Sequence, residues 1–545
     1  MSQYNHEGKM MDFMHDNHNA NKVVAPQDTK KLLRSVIRSG DRVVLEGNNQ
    51  KQATFLSKQL ADLSTADIKN LHIMMSSVTL DEHLDLFRKG IASRLDFAFS
   101  GQQAVPLAKL VQDGSVVIGS IHTYSELFSR YFTDLTPNIA LVCAETADAQ
   151  GNLYTGGNSE ETPVLCEATH FGKGIVVAQV TKMVEKVPRV DIPGDQVNFV
   201  IPTGEPNQIQ ALFTRNPAHL TTTHVLMALM VIKGIYAEYG VQCLNHGIGY
   251  ATAAIELLLP TFAMDLGLKG KICSHWALNP HPTLIPAIES GMVKSIYSFG
   301  SEPGMDDYIA ARKDIFFTSP DGVLKSSRCL AQLVGYYDCE CFVGATLQID
   351  PDGNSSTAIS GRISGFGGAP NLGSNATGRR HVTPAWLKVG QEISAAGGRG
   401  QIQRGHKLIV QLTPTVSAKK EIPVFVKNLD ATLMARRGLF ELPPVMIYGE
   451  DITHIVTEKG IAYLCRCGSP EERRAAIRAV AGRTPVGEEE IASETGTLRR
   501  KRVVAYPEDL NIQPEMMTRN ALAAKNMQDL VDISGELYQP PLKFL

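Results

Sequence analysis

Residues 43–60 read VVLEGNNQKQATFLSKQL, and residues 241–259 read VQCLNHGIGYATAAIELLL. In each, a short apolar run enters a loop of Gly and Asn, and an Ala-Thr pair then opens a helix-like segment. That is strand–loop–helix text, and meeting it once in each half of the chain suggests two related halves. Working outward, further β-rich runs alternate with helical text. They are Arg42–Leu45, Leu71–Met75, Val116–Ile118, Ile139–Cys143 and Ile175–Val180 in the first half. Val241–Leu244, Lys271–Cys273, Ser295–Phe299, Phe342–Ile349 and Leu408–Leu412 follow in the second. Such alternation predicts two tandem open α/β domains with mostly parallel sheets. Prolines and polar residues cluster at Ile201–Gln208 and Arg215–Ala218, which places the boundary between them. The expected division is a tail over 1–29, domains over 30–215 and 216–465, and a C-terminal helical extension over 466–545.

The chain has 545 residues, long enough for several cores, and 53 basic against 56 acidic side chains, a balance that argues against nucleic-acid binding. A hydrophobic share of 43% excludes general disorder. The N-terminal text, with His6, His15 and His18, lacks the apolar core of a signal peptide, and the longest apolar stretch, Val225–Ile232, is too short to cross a bilayer. A cytoplasmic protein without a membrane span is expected. Nine cysteines are an odd number with no CxxC among them. The pairs Cys339/Cys341 and Cys465/Cys467 lie in strand-like text, where i and i+2 share a face, and read as buried thiols rather than metal ligands.

No GxSxG, HExxH or GxxxxGK[ST] occurs, which removes hydrolase-elbow, zincin and P-loop readings. Two glycine loops remain, Gly247-Ile248-Gly249 and Gly365-Phe366-Gly367-Gly368. Neither completes a dinucleotide fingerprint. Glycine loops let backbone N–H groups converge on an oxygen, as an oxyanion hole for acyl transfer requires. The plain alternative is a pair of tight βα turns with no ligand. Behind the second loop, Arg379, Arg380 and His381 form a basic triplet suited to a small carboxylate, or simply exposed on a surface loop. The basic runs Arg473/Arg474/Arg478 and Arg499–Arg502 read as solvated faces, with docking of an acidic partner as the functional alternative.

Three long stretches carry a resemblance: SGFGGAPNLGSNATGRRHVTPAWL (364–387), LNPHPTLIPAIESG (278–291) and PVMIYGEDITHIVTEKGIAYL (444–464). They are similar to malonate decarboxylase α subunits and, more broadly, to the coenzyme A-transferase superfamily with its citrate lyase α subunits. Asp148-Ala149-Gln150-Gly151-Asn152 followed by Gln179-Val180-Thr181 resembles transferase text as well, as does VTEKGIAYL followed by SPEERRAAI. The likeness runs from about residue 30 to about 490.

The resemblance implies two coenzyme A-transferase-like domains with a site between them. It also implies exchange of acetate for malonate on an acyl-carrier-protein thioester, with decarboxylase subunits as further partners. No cofactor of this chain is implied; the phosphoribosyl-dephospho-coenzyme A arm belongs to the carrier protein. Many relatives attack the thioester with a glutamate, and Ala277 stands at that place here. Malonate's own carboxylate would then attack, through a mixed anhydride. On this reading Asn245, His246, Gly247 and Gly249 form one wall and Gly365, Gly367 and Gly368 the other. Arg379 or Arg380, beside His381, would hold the unreacting carboxylate. Glu458 is expected to brace structure, and Glu145 is a candidate to face the cleft. A stand-alone acetyl-coenzyme A hydrolase or transferase and a non-catalytic scaffold are the competing readings.

Overall fold

The structure, a computed structural model, describes residues 22–48, 51–207, 209–380, 382–397, 404–417 and 422–545. The tail histidines and His381 lie outside the described residues. In the first half, seven strands form one parallel sheet: β1 (Arg42–Leu45), β2 (Leu71–Ser77), β3 (Ala92–Phe99), β4 (Val117–Ile121), β5 (Ile139–Ala147), β6 (Ile175–Met183) and β7 (Phe199–Pro202). Their order is β7-β6-β5-β1-β2-β3-β4, with a two-residue arm, Leu153–Tyr154, antiparallel to β5. Helices cover both faces, so the strands are buried almost throughout and read as continuous apolar runs.

The second sheet comprises β8 (Cys243–His246), β9 (His275–Ala277), β10 (Ser295–Tyr297), β11 (Cys341–Gly344), β12 (Leu408–Leu412), β13 (His454–Val456), β14 (Ile461–Tyr463) and β15 (Val504–Ala505). Its order is β10-β9-β8-β11-β12-β13-β14-β15, parallel as far as β13 and antiparallel beyond. In both sheets the first strand sits inside. The chain works outward on one side, then crosses back and works outward on the other. β1 and β8, the two strands of the sequence echo, thus hold the same topological place, the point where strand order reverses. Ligands of open α/β sheets bind at the carboxyl ends of strands there.

One expected strand moved and one strand was not expected. The Lys271–Cys273 run turns instead of extending: Cys273 takes φ +55° and its carbonyl accepts the Trp276 indole N–H at 2.8 Å, so the strand starts at His275. The added strand is Ala92–Phe99, whose text is broken by the charged Arg94 and Asp96. Asp96 is buried, accepts hydrogen bonds from His72 (2.6 Å) on one flanking strand and from His122 (2.7 Å) just past the other, and is held well below the usual carboxylate range by those partners against its burial.

The C-terminal segment carries the expected helices, Pro470–Val480 and Ala492–Arg500, and also supplies the edge strand β15. Met527, Leu530 and Tyr538 pack into the core of the second sheet. Its basic runs are largely compensated. Arg473 is half-buried and donates to the carbonyls of Leu464, Gly449 and Ile452; Arg474 pairs with Asp352, Arg478 with Glu494, Arg499 with Glu508 and Asp509, and Lys501 with Glu472. All nine cysteines are free thiols. The CxC pairs do not share a face: Cys341 and Cys465 enter the large core, Cys339 and Cys467 the neighbouring one, because Cys339 precedes β11 and Cys465 sits in a 3₁₀ turn. No helix among the described residues is long and apolar enough to cross a membrane.

Candidate active site at the junction of the two sheets

A cavity of about 490 Å³ opens at the carboxyl ends of β8 and β11. Asn245, His246 and Gly247 from the end of β8 line it, with Gly344, Ala345 and Thr346 from the end of β11. Residues from the half of the chain that holds the first sheet, Ser77, Phe99 and Tyr124, close the opposite side. Between them runs the second glycine loop, which also lines the cavity through Gly365, Gly367 and Gly368. The two loops singled out in the sequence therefore meet, except that Gly249 lines a narrow recess next door with Glu256 and His281.

Hydrogen bonding decides what these groups can offer. The second loop is stitched to the first sheet: the N–H groups of Phe366 (2.6 Å) and Gly367 (2.8 Å) both donate to the Ala98 carbonyl, and Ser100 N–H donates to Ser364 O at 3.0 Å. Gly365 sits at φ +73°, and a Cβ there would overlap the Ala98 carbonyl and come to 2.9 Å from Phe99 Cα. Glycine is required at 365 for a close approach of backbone to backbone. Gly247 N–H likewise donates to Val343 O at 2.7 Å. The N–H groups of Gly365 and Gly368 have no acceptor among the described residues. Of the glycines expected to form an oxyanion hole, Gly247 and Gly367 have their amides occupied, whereas Gly365 and Gly368 do not.

His246 is corrected on the same ground. Both ring nitrogens are engaged, Nε2 with Tyr236 Oη at 2.6 Å and Nδ1 with Glu256 Oε1 at 2.8 Å, so its side chain cannot donate to a substrate oxyanion. Burial lowers its pKa, with Glu256 only partly offsetting. Glu256 also accepts from His281 Nδ1 (2.9 Å) and Thr283 Oγ1. Burial opposes its ionisation, yet His281 and His246 hold the carboxyl down to about 2. This is a buried brace behind β8. Asn245 is similarly structural through its amide, which donates to Ala277 O at 2.5 Å.

The arginine assignments also change. Arg379 and Arg380 do not line the cavity. Arg379 packs over the Trp386 ring at 5.2 Å, while Arg380 is exposed and donates to the carbonyls of Gly378 and Arg379. The arginines that reach the cavity are Arg215, Arg328 and Arg362. Arg328 is buried and paired with Glu160 at 2.6 Å, its guanidinium 4.7 Å from the Tyr124 ring centre. Arg362 is exposed and donates to Ser364 Oγ at 2.9 Å. Arg215 arrives on the linker 210–215, whose path is fixed by Glu302. That buried carboxylate accepts from the N–H groups of Leu212 (3.3 Å), Phe213 (3.1 Å) and Thr214 (2.8 Å) and from Thr214 Oγ1 (2.7 Å).

Sequence reading missed this linker because its Pro-flanked, polar text signals a boundary as readily as a wall. It also passed over two buried donors on the lining, Asn279 Nδ2 and Gln332 Nε2, which have no hydrogen-bond partner among the described residues. Asn279 did lie in a quoted motif, one residue past the position of Leu278. Ala277 ends β9 beside the cavity, and no Asp, Glu, Cys or Lys among the described residues lines it. Glu458 braces Thr415 N–H (3.0 Å) and its hydroxyl, as expected, and Glu145 is exposed away from the cavity lining.

Comparison with known proteins matches this arrangement to a family. The family profile described as malonate decarboxylase, alpha subunit, transporter covers residues 2–545. A curated relative from Malonomonas rubra, named acetyl-S-ACP:malonate ACP transferase, is 56% identical over 525 residues, spanning 96% of this chain and 95% of its own. The α subunit of malonate decarboxylase from Acinetobacter baumannii superposes with a TM-score of 0.94 at 50% identity, covering 99% of this chain and 98% of that one. A chain of the Pseudomonas malonate decarboxylase hetero-tetramer, solved in complex with malonate, does so with 0.95 at 50%, covering 100% and 98%. A citrate lyase α subunit from Streptococcus mutans, at 16% identity and a TM-score of 0.59 over 87% of this chain and 84% of that one, shares the fold. With matches of this extent, the chain belongs to the family of malonate decarboxylase α subunits.

Proposed function

We propose that this chain is the acyl-carrier-protein transferase subunit of a malonate decarboxylase, converting acetyl-S-carrier protein and malonate to malonyl-S-carrier protein and acetate. The observation that carries the reading is the composition of the cavity wall: three arginines, amide donors, glycine backbone and hydroxyls such as Ser77 and Tyr124, with no carboxylate, thiol or amine among the described residues to form an anhydride or thioester with the substrate's acyl group. A transferase with such a wall takes both nucleophiles from its substrates. One malonate carboxylate attacks the acetyl carbonyl and the carrier thiolate leaves, giving an acetyl–malonyl anhydride. The thiolate then attacks the malonyl carbonyl and acetate leaves, carrying the bridging oxygen. The protein positions the reactants and stabilises charge, which can supply most of the rate enhancement.

The N–H groups of Gly365 and Gly368 and the amide of Gln332 are the donors available for the oxyanions. The thioester arrives on the carrier's phosphoribosyl-dephospho-coenzyme A arm, and this chain contributes no cofactor of its own. Carrier protein and decarboxylase subunits are its partners, in the cytoplasm. The test mixes purified chain, acetylated carrier protein and labelled malonate. Label on the carrier protein is expected; no transfer from malonate, with release of free thiol instead, would favour the hydrolase alternative.

A further inference from the structure

Of the three arginines on the cavity, only one combines partial burial with an unneutralised charge. Arg328 is held by Glu160, and Arg362 lies in solvent, where pairing is weak. Arg215 is half-buried, and it forms no ion pair with any described residue. Its Nη1 donates to the carbonyls of Leu212 (2.7 Å) and Thr214 (2.9 Å), which fixes the guanidinium and leaves Nε and Nη2 to face other partners. The two carboxylates close enough to act on its charge are engaged elsewhere: Glu302 by the linker amides, Glu256 by two histidines and a threonine. The Tyr250 ring, 5.8 Å away, adds only a weak attraction.

A cation in this state calls for an anion from outside the chain. Half-burial without a counter-charge is unfavourable, and burial already disfavours the charged guanidinium. The planar fork matches a carboxylate bidentately. The same cavity wall holds Asn279 Nδ2, 2% exposed as a residue and without a partner, as a second donor. The linker that carries Arg215 is anchored at three successive N–H groups, so the guanidinium sits on a rigid support rather than a loose loop.

We infer that Arg215, assisted by Asn279, binds the malonate carboxylate that does not react and so selects a dicarboxylate over a monocarboxylate. This rests on the transferase reading above and names the residue that sets its substrate class. A monocarboxylate such as acetate can attack the thioester but leaves this guanidinium unpaired.

The experiment compares two reactions of the full chain with acetylated carrier protein: transfer to labelled malonate, and exchange of labelled acetate into the acetyl thioester. In Arg215→Gln, KM for malonate is expected to rise at least tenfold, while KM for the acetylated carrier and the rate of acetate exchange stay within twofold. Arg215→Lys, which keeps the charge without the fork, is expected to fall between. It also serves as the reading should the glutamine variant not fold. A malonate KM within twofold of wild type, or an equal loss of acetate exchange, would overturn the assignment. So would a larger effect on malonate from Arg362→Gln. If the wild-type chain transfers no malonate at all, the transferase reading fails instead, and the two failures are told apart.

Discussion

Gly365→Ala and Gly367→Ala differ by one methyl group placed two residues apart on the same loop, yet their consequences diverge. Both glycines have positive φ, +73° and +59°, so each alanine carries the cost of a left-handed backbone, about 1–2 kcal/mol. At 367 the new Cβ meets nothing nearer than the Tyr124 ring at 3.6 Å, an ordinary contact, and the cost ends there. At 365 it overlaps the Ala98 carbonyl and lies 2.9 Å from Phe99 Cα, both backbone atoms of β3 that cannot rotate away. The loop must lift off the first sheet. Three backbone hydrogen bonds are then at risk, two to Ala98 O and one from Ser100 N–H, each contributing about 0.5–1.5 kcal/mol. The two variants should therefore differ by about 1.5–4.5 kcal/mol on these figures. Because the loop is also a wall of the cavity, up to about a hundredfold of that difference is expected in kcat/KM for malonate transfer. The assay is initial-rate transfer beside thermal unfolding, with Gly361→Ala, which meets nothing within 4 Å, as the neutral control. Equal thermal midpoints and equal rates for the 365 and 367 variants would refute the claim that this loop is held by the first sheet.

Other expectations follow from the same geometry. Glu302→Gln removes the charge that receives three linker amides; a lower thermal midpoint and a raised KM for malonate are expected, since Arg215 rides on that linker. Glu161 is buried beside Ser76, and burial with Glu46 nearby pushes its carboxyl up to about 8. The fold therefore binds a proton that the unfolded chain releases near the ordinary glutamate pKa, so its contribution is complete in acid and lost as pH rises through about 8. Glu161→Gln should gain thermal midpoint over wild type on going from pH 6 to pH 9, and a constant difference between them would count against this. Arg499→Ser should slow transfer from carrier protein and from free acetyl-coenzyme A equally, because that guanidinium is already paired with Glu508 and Asp509. A selective loss with carrier protein would instead mark a docking surface.

The fold was legible where local chemistry and tertiary environment agree. β1 and β12 have the bounds expected from the sequence, since strands buried on both faces are mostly apolar. The echo between 43–60 and 241–259 marked the two switch-point strands, although nothing local says which strand lies inside a sheet. β3 was illegible because its central Asp96 is tolerated only by His72 and His122, which come from elsewhere in the chain. The site divides the same way. Glycines at 365–368 correctly signalled a close approach of backbone, but the partner at 365 is β3 and not a substrate. Arg379 and Arg380 followed the glycines in sequence and were assigned to the cavity by that adjacency, whereas the chain turns away between them. Arg215 belongs to the cavity through a linker whose course is set by Glu302, far along the chain. His246 has the right position and the wrong availability, which only its partners Tyr236 and Glu256 reveal.

The central claim is that the cavity supplies no carboxylate nucleophile of its own, and the fate of oxygen tests it most directly. Malonate labelled with ¹⁸O in its carboxylates is reacted with acetylated carrier protein in a single turnover, with enzyme in excess, and the released acetate is analysed by mass. Direct attack predicts one labelled oxygen in every acetate, delivered from malonate through the anhydride. Acetate released without label, its second oxygen drawn from the protein or from water, would contradict the account.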